Sequence, residues 1–98
     1  MKALKLEGTH FRTITIENKL EALQEAVRGY IETITLIPDK AVMIVNEEGR
    51  ILDMAANHAA STIAGGLIVG PAIVVGIDGE EFTDIPEDVE RCIRALFV

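Results

Sequence analysis

The sequence predicts a single α+β domain: a mixed, mostly antiparallel sheet of about five strands packed by two main helices. Three observations predict it. Phe11 to Ile16 alternates apolar with polar side chains, whereas Ala41 to Val45 and Ala72 to Ile77 are apolar without alternation, the pattern of strands covered on both faces. Leu20, Leu23 and Val27 recur at helical spacing, as do Val89, Ile93 and Leu96 near the other end. The 98 residues are 49% apolar but only 4% aromatic, so one core must be built from Ile, Val, Leu and Ala.

Ala3 to Glu7 and Phe11 to Ile16 read as antiparallel strands joined at Gly8. Asn18 is placed as a helix N-cap, with Glu21 three residues on as its capping-box partner, and Gly29 ends that helix. Tyr30 to Leu36 has strand composition, Pro38-Asp39-Lys40 turns the chain, and Ala41 to Val45 is the central strand. Asn46 to Arg50 forms a turn with Gly49 as its left-handed residue, and Ile51-Leu52 returns briefly as strand. Asn57 to Ile63 reads as a short helix. Ala72 to Ile77 is the last strong strand, followed by a surface turn over Asp78 to Glu81. The closing helix takes Asp84 as N-cap, Pro86 in its first turn and Glu87 in the capping-box place.

Charge and cysteine content bound the function. The formal net charge of −7 repels phosphate backbones, and Lys2 and Lys5 are too few for a basic cluster, so no direct nucleic-acid binding is expected. Cys92 has no second cysteine to pair with, which fits a reducing compartment, and its place beside Val89, Ile93 and Leu96 reads as a small buried side chain. The first residues lack the apolar core of a signal peptide, so a cytoplasmic location is expected. Ala59 to Ile77 carries no charge over a membrane-spanning length, but Gly65-Gly66 and Gly70-Pro71 interrupt it twice. Two buried strands around a Gly-Pro turn are the expectation there, and no membrane partner.

Leu20-Glu21-Ala22-Leu23-Gln24-Glu25-Ala26-Val27-Arg28-Gly29-Tyr30-Ile31-Glu32, then Val45 to Arg50 followed by Asn57, then Ile68 to Gly76, resemble the successive blocks of domain-of-unknown-function family 3846. The blocks keep that order and cover nearly the whole chain. One departure is Ala55-Ala56, where the family pattern has a Leu-Pro-like pair before the Asn. The resemblance implies one compact domain and a setting in gut bacteria, their phages and mobile elements. It implies no mechanism.

The candidate ligand-binding residues are Asn46, Arg50, Asn57, His58, Ser61 and Thr62. Asn46 stands where a central strand meets a turn and either bonds its own turn backbone or faces a ligand. Arg50 is either a bidentate anchor for an anion or a surface ion-pair partner. Asn57, His58, Ser61 and Thr62 put neutral donors and acceptors on one short helix; the competing reading is a helix cap with solvent-facing hydroxyls. His10 and His58 are the sole imidazoles and no metal-ligand spacing is present, so neither metal nor cofactor is expected. The Gly65 to Gly70 stretch lacks the Lys and Ser or Thr of a phosphate-binding loop.

Three function classes follow. The first is a non-enzymatic binding protein, a phage or mobile-element accessory or counter-defence factor that inhibits a host protein by occupying it. The second sequesters a small nucleotide-like signal in a pocket, at the interface of a homo-oligomer. The third, a small hydrolase or transferase, rests on Glu47, Glu48 and His58 cooperating, and no residue is assigned a catalytic role.

Overall fold

The computed structural model describes residues 1–97. In chain order its elements are β1 (Lys2–Glu7), β2 (His10–Thr15), α1 (Leu20–Val27), β3 (Ile31–Ile37), β4 (Ala41–Asn46), α2 (His58–Ala64), β5 (Ala72–Asp78), β6 (Glu81–Thr83) and α3 (Glu87–Ala95). The sheet runs β2-β1-β5-β4-β3, with β6 added to β5 off this path, and every pairing is antiparallel. The fold is α+β as expected. A sixth strand and the third helix α2 complete it.

Alternation along the inner strands divides the core between two faces. Val42 and Ile44 of β4 join Ile73 and Val75 of β5 beneath α1, which contributes Leu23 and Val27. Met43, Val45, Ala72 and Val74 point the other way, under Ala59 and Ala60 of α2 and Val89 and Ile93 of α3. Because helices cover both faces, β4 is buried along its whole length, which explains its unbroken apolar run. Burial of Leu23 and Val27 contributes about 1.5–3 kcal/mol each.

The two outer strands differ. At β2, the Thr13 hydroxyl donates to Glu90 of α3 over 2.6 Å, and Arg94 donates to that hydroxyl while lying over the Phe11 ring. Phe97 packs on Phe11 with ring centroids 5.2 Å apart. Glu90 also meets Lys2 at 3.1 Å and Arg94 at 3.6 Å. The Thr13 hydrogen bond, aided by these cations, holds the Glu90 carboxyl below the usual range despite its burial. Among the described residues, no side-chain hydrogen bond or ion pair ties a helix to β3 in this way.

Several local expectations are overturned by tertiary partners. Asn18 does not cap α1; Lys19 occupies that position and the Asn18 amide donates to the Phe82 carbonyl at 2.8 Å. Asp84 likewise accepts the Lys2 amide at 2.7 Å, leaving Pro86 as the cap of α3. The left-handed residue after α1 is Arg28, with φ 65°. Gly29 follows it because a Cβ there would stand 2.8 Å from Asn46 Nδ2. Ile51 and Leu52 are exposed in a turn rather than a strand, and Asp53, not Gly49, is its positive-φ residue. Gly49 is instead required by space, since a Cβ would lie 2.8 Å from Val69 Cγ2. Leu67 to Val69 makes a single bridge, Val69 to Ala56, and is no buried strand. Cys92 is exposed, because α3 buries only the narrow stripe of Val89, Glu90 and Ile93.

Candidate functional site

A cleft of about 400 Å³ opens where β3 and β4 approach the turn after Asn46 and the loop after α2. Ile34 and Val45 form its apolar floor, Glu32 and Glu47 its acidic rim, and Ile51 and Leu67 its two walls. Glu32 lies opposite Val45 in the ladder, which puts both on the face that carries α2 and α3.

Both walls are fixed by hydrogen bonds, some within a turn and some to distant segments. Asn46 Oδ1 accepts the Glu48 amide at 2.7 Å while its Nδ2 donates to the Val27 carbonyl at 2.9 Å, so Asn46 joins the turn to the end of α1. The amides of Leu52 and Met54 then bond the carbonyls of Glu48 and Gly49, each at 2.9 Å, and this helical turn pushes Arg50 and Ile51 outward. Asn46 bonding its own turn was one of the two sequence readings.

The opposite wall hangs from α2. Asn57 is its N-cap as expected, with Oδ1 accepting the Ala60 amide at 3.0 Å. The two Asn57 amide hydrogens go to the carbonyls of Leu6 at 2.9 Å and Gly70 at 2.8 Å, and the residue is only 1% exposed. Ser61 Oγ accepts the Ile68 amide at 2.8 Å and donates to the Ile68 carbonyl at 3.3 Å. Asn57 and Ser61 thus hold the loop that presents Leu67. Arg50 spans the walls with one long bond, 3.5 Å, to the Leu67 carbonyl, and forms no ion pair among the described residues.

The six candidate residues therefore do not line one pocket. Asn46 and Arg50 border the cleft, while Asn57 borders a smaller one of about 260 Å³ beside Met54 and Pro71. His58 and Thr62 lie on the exposed side of α2, where the Thr62 hydroxyl donates to the His58 carbonyl at 2.9 Å. Glu47 reaches the cleft, but Glu48 and His58 do not line it with Glu47. Among the described residues no group of His, Cys, Asp and Glu converges to hold a metal ion, and no helix is long and apolar enough to cross a membrane.

Sequence reading passed over Glu32, Ile34 and Leu67. A signal was present in Ile31 to Ile37, where Thr33 and Thr35 alternate with apolar residues and no Lys or Pro interrupts. That is the composition of a strand with one half-exposed face.

Compared with known protein families, residues 1–97 match the family described as Domain of unknown function (DUF3846). The chain belongs to the DUF3846 family. No curated protein and no solved structure matches this DUF3846 domain. The three sequence blocks correspond here to α1 running into β3, to the end of β4 with its turn and the α2 cap, and to the loop running into β5. Apart from β5 itself, these are the segments that build the cleft or support its walls.

Proposed function

We propose that this DUF3846 domain is a non-enzymatic binding protein that acts by occupying another polypeptide. The observation that carries this reading is the clustering of exposed apolar side chains. Ile51 and Leu67 wall the cleft, and Leu52 and Tyr30 adjoin its lining in sequence, whereas Ile37 lies at the far end of β3 beside α3 and Leu20 and Leu96 lie elsewhere. Contiguous exposed apolar surface with a polar rim marks protein-interaction sites. The phage and mobile-element setting implied by the sequence blocks makes a host protein the partner class, and inhibition by occupancy the mode of action.

The test is capture from a host extract by the wild-type chain against an Ile51→Asp/Leu67→Asp variant, whose replaced side chains are exposed and leave the core intact. A specific partner held by the wild type and reduced at least tenfold with the variant supports the reading. Equal capture by both, or none above a scrambled-surface control, overturns it.

A second reading, sequestration of a small nucleotide-like anion, draws on Arg50, which has no carboxylate partner among the described residues and borders a cleft of ligand size. Glu32 and Glu47 on the same rim oppose it. A rise in melting temperature with nucleotides that is lost in Arg50→Ala would favour it over the first.

A further inference from the structure

Resting on the protein-binding reading, we infer that the partner joins the sheet as an added antiparallel strand along β3, and that its segment alternates apolar residues with at least one Lys or Arg. The backbone supplies the first half of this inference. The Glu47 amide bonds the Tyr30 carbonyl at 2.8 Å, which makes Tyr30 and Glu47 a hydrogen-bonded pair of the β3–β4 ladder. Antiparallel ladders alternate bonded and non-bonded pairs. Glu32 and Ile34 therefore bond inward to β4, and the N–H and C=O groups of Ile31, Thr33 and Thr35 point outward from the sheet.

Natural edge strands are usually blunted by Lys, Pro, inward charge or a covering element. The β2 edge follows that rule, since Arg12 sits on it, and Arg94 of α3 and Phe97 just after it pack on its Thr13 and Phe11. Among the described residues the β3 edge has no Lys, no Pro and no strand paired to its outer side; its one charge is Glu32, and its one irregularity, between Thr35 and Ile37, falls at its far end. An open run from Ile31 to Thr35, with only an acidic side chain on it, is what addition of a basic strand uses.

Side chains supply the second half. An added strand places alternate residues over the cleft face, next to Ile34 and within reach of the Ile51 and Leu67 walls. Its neighbours there include Glu32 and Glu47, neither of which forms an ion pair among the described residues. A cationic residue on the incoming strand meets both, and the net charge of −7 steers such a segment inward. The same charge disfavours a second copy of this chain, which would bring equal acidic rims together.

The experiment is selection of a displayed random dodecapeptide library on the full chain, followed by titration of the enriched peptides against variants. Thr33→Pro removes an outward N–H that the fold does not use, and Thr33→Lys/Thr35→Lys keeps every amide if the Pro variant fails to fold. The inference expects enriched peptides with alternating apolar residues and Lys or Arg, at least tenfold weaker binding to either edge variant, and a switch to acidic peptides with Glu32→Lys/Glu47→Lys. No enrichment, an acidic consensus on the wild type, or binding indifferent to both edge variants overturns it. If binding is indifferent to the edge variants but lost with Ile51→Asp/Leu67→Asp, strand addition fails while the protein-binding reading stands. A concentration-dependent dimer abolished by the edge variants also overturns it, because a second copy then fills the edge.

Discussion

The hydroxyl of Thr13 donates to the carboxylate of Glu90 across 2.6 Å, fastening the last helix to an outer strand of the sheet through a side chain that is almost completely buried. Sequence gives no hint of this, because Glu90 looks like any solvated helix glutamate with an Arg four residues on.

Replacing Glu90 by Gln removes the attraction to Lys2 and Arg94, both of which are partly exposed and can rehydrate. The expected loss is therefore modest, about 1 kcal/mol at neutral pH by urea denaturation. The pH dependence is more specific. Because the folded-state pKa is depressed, the wild type holds this stabilisation in full above the ordinary glutamate value of about 4.3 and loses it as pH falls through the folded value. Glu90→Gln should lose less stability than the wild type over that acid range. Parallel melting curves for both proteins down to the acid limit would contradict the assignment.

Asn57 caps α2 and satisfies two carbonyls from distant segments. Asn57→Ala forfeits the cap, about 1 kcal/mol, and strips the Gly70 carbonyl of its side-chain donor at about 1–3 kcal/mol, while the Leu6 carbonyl keeps its place in the ladder with Ala72. A total near 2–4 kcal/mol, or roughly 10–25 °C in Tm, is expected for a domain of this size. Asn57→Asp retains the cap acceptor but sets a carboxylate against two carbonyl oxygens, so it should be no better than Ala at neutral pH. A fully stable Asn57→Asp protein would refute the donor roles given to Nδ2.

The closeness of Gly29 to Asn46 predicts coupling. Gly29→Ala pushes Asn46 off the Val27 carbonyl and should destabilise by about 1–3 kcal/mol, as should Asn46→Ala by leaving that carbonyl bare. The double variant should cost clearly less than the sum, read from a denaturation cycle. Additive losses would mean that the two residues do not share the contact.

Val74 is wholly buried at the centre of the sheet, between Leu4 and Met43 on its neighbouring strands. Val74→Asp places a carboxylate there with no cation to meet it and is expected to abolish folding. A cooperative melt detected by circular dichroism for this variant would contradict the strand order.

How far the fold was legible depended on where each element takes its stability. The runs β4 and β5 were plain, because burial on both faces forces uninterrupted apolar residues. The α2 cap was equally plain, since Asn57 acts on an amide three residues away. Asn18 and Asp84 misled because their side chains are claimed by Phe82 and Lys2, residues remote in sequence. The strand β6 was missed because Glu81-Phe82-Thr83 becomes a strand only when Gly76 to Asp78 offers it an edge. For the candidate site, the polar residues of the charge-free middle stand out in the sequence. Asn57 and Ser61 owe that character to holding the loop that carries Leu67. Exposure along β3 depends on which strand ends the sheet, and that order is not written in any local pattern.

The sheet order also constrains synthesis. Within the domain, the hairpin of β1 and β2 is made before the other strands, yet the inner neighbour of β1 is Ala72 to Val74, made only after β3 and β4. Until then Leu4 and Leu6 face solvent, and β5 arrives as the keystone that joins two waiting hairpins in one step. A nascent chain stalled before Ala72 should thus expose an apolar hairpin to chaperones, and release of that contact should coincide with the emergence of β5.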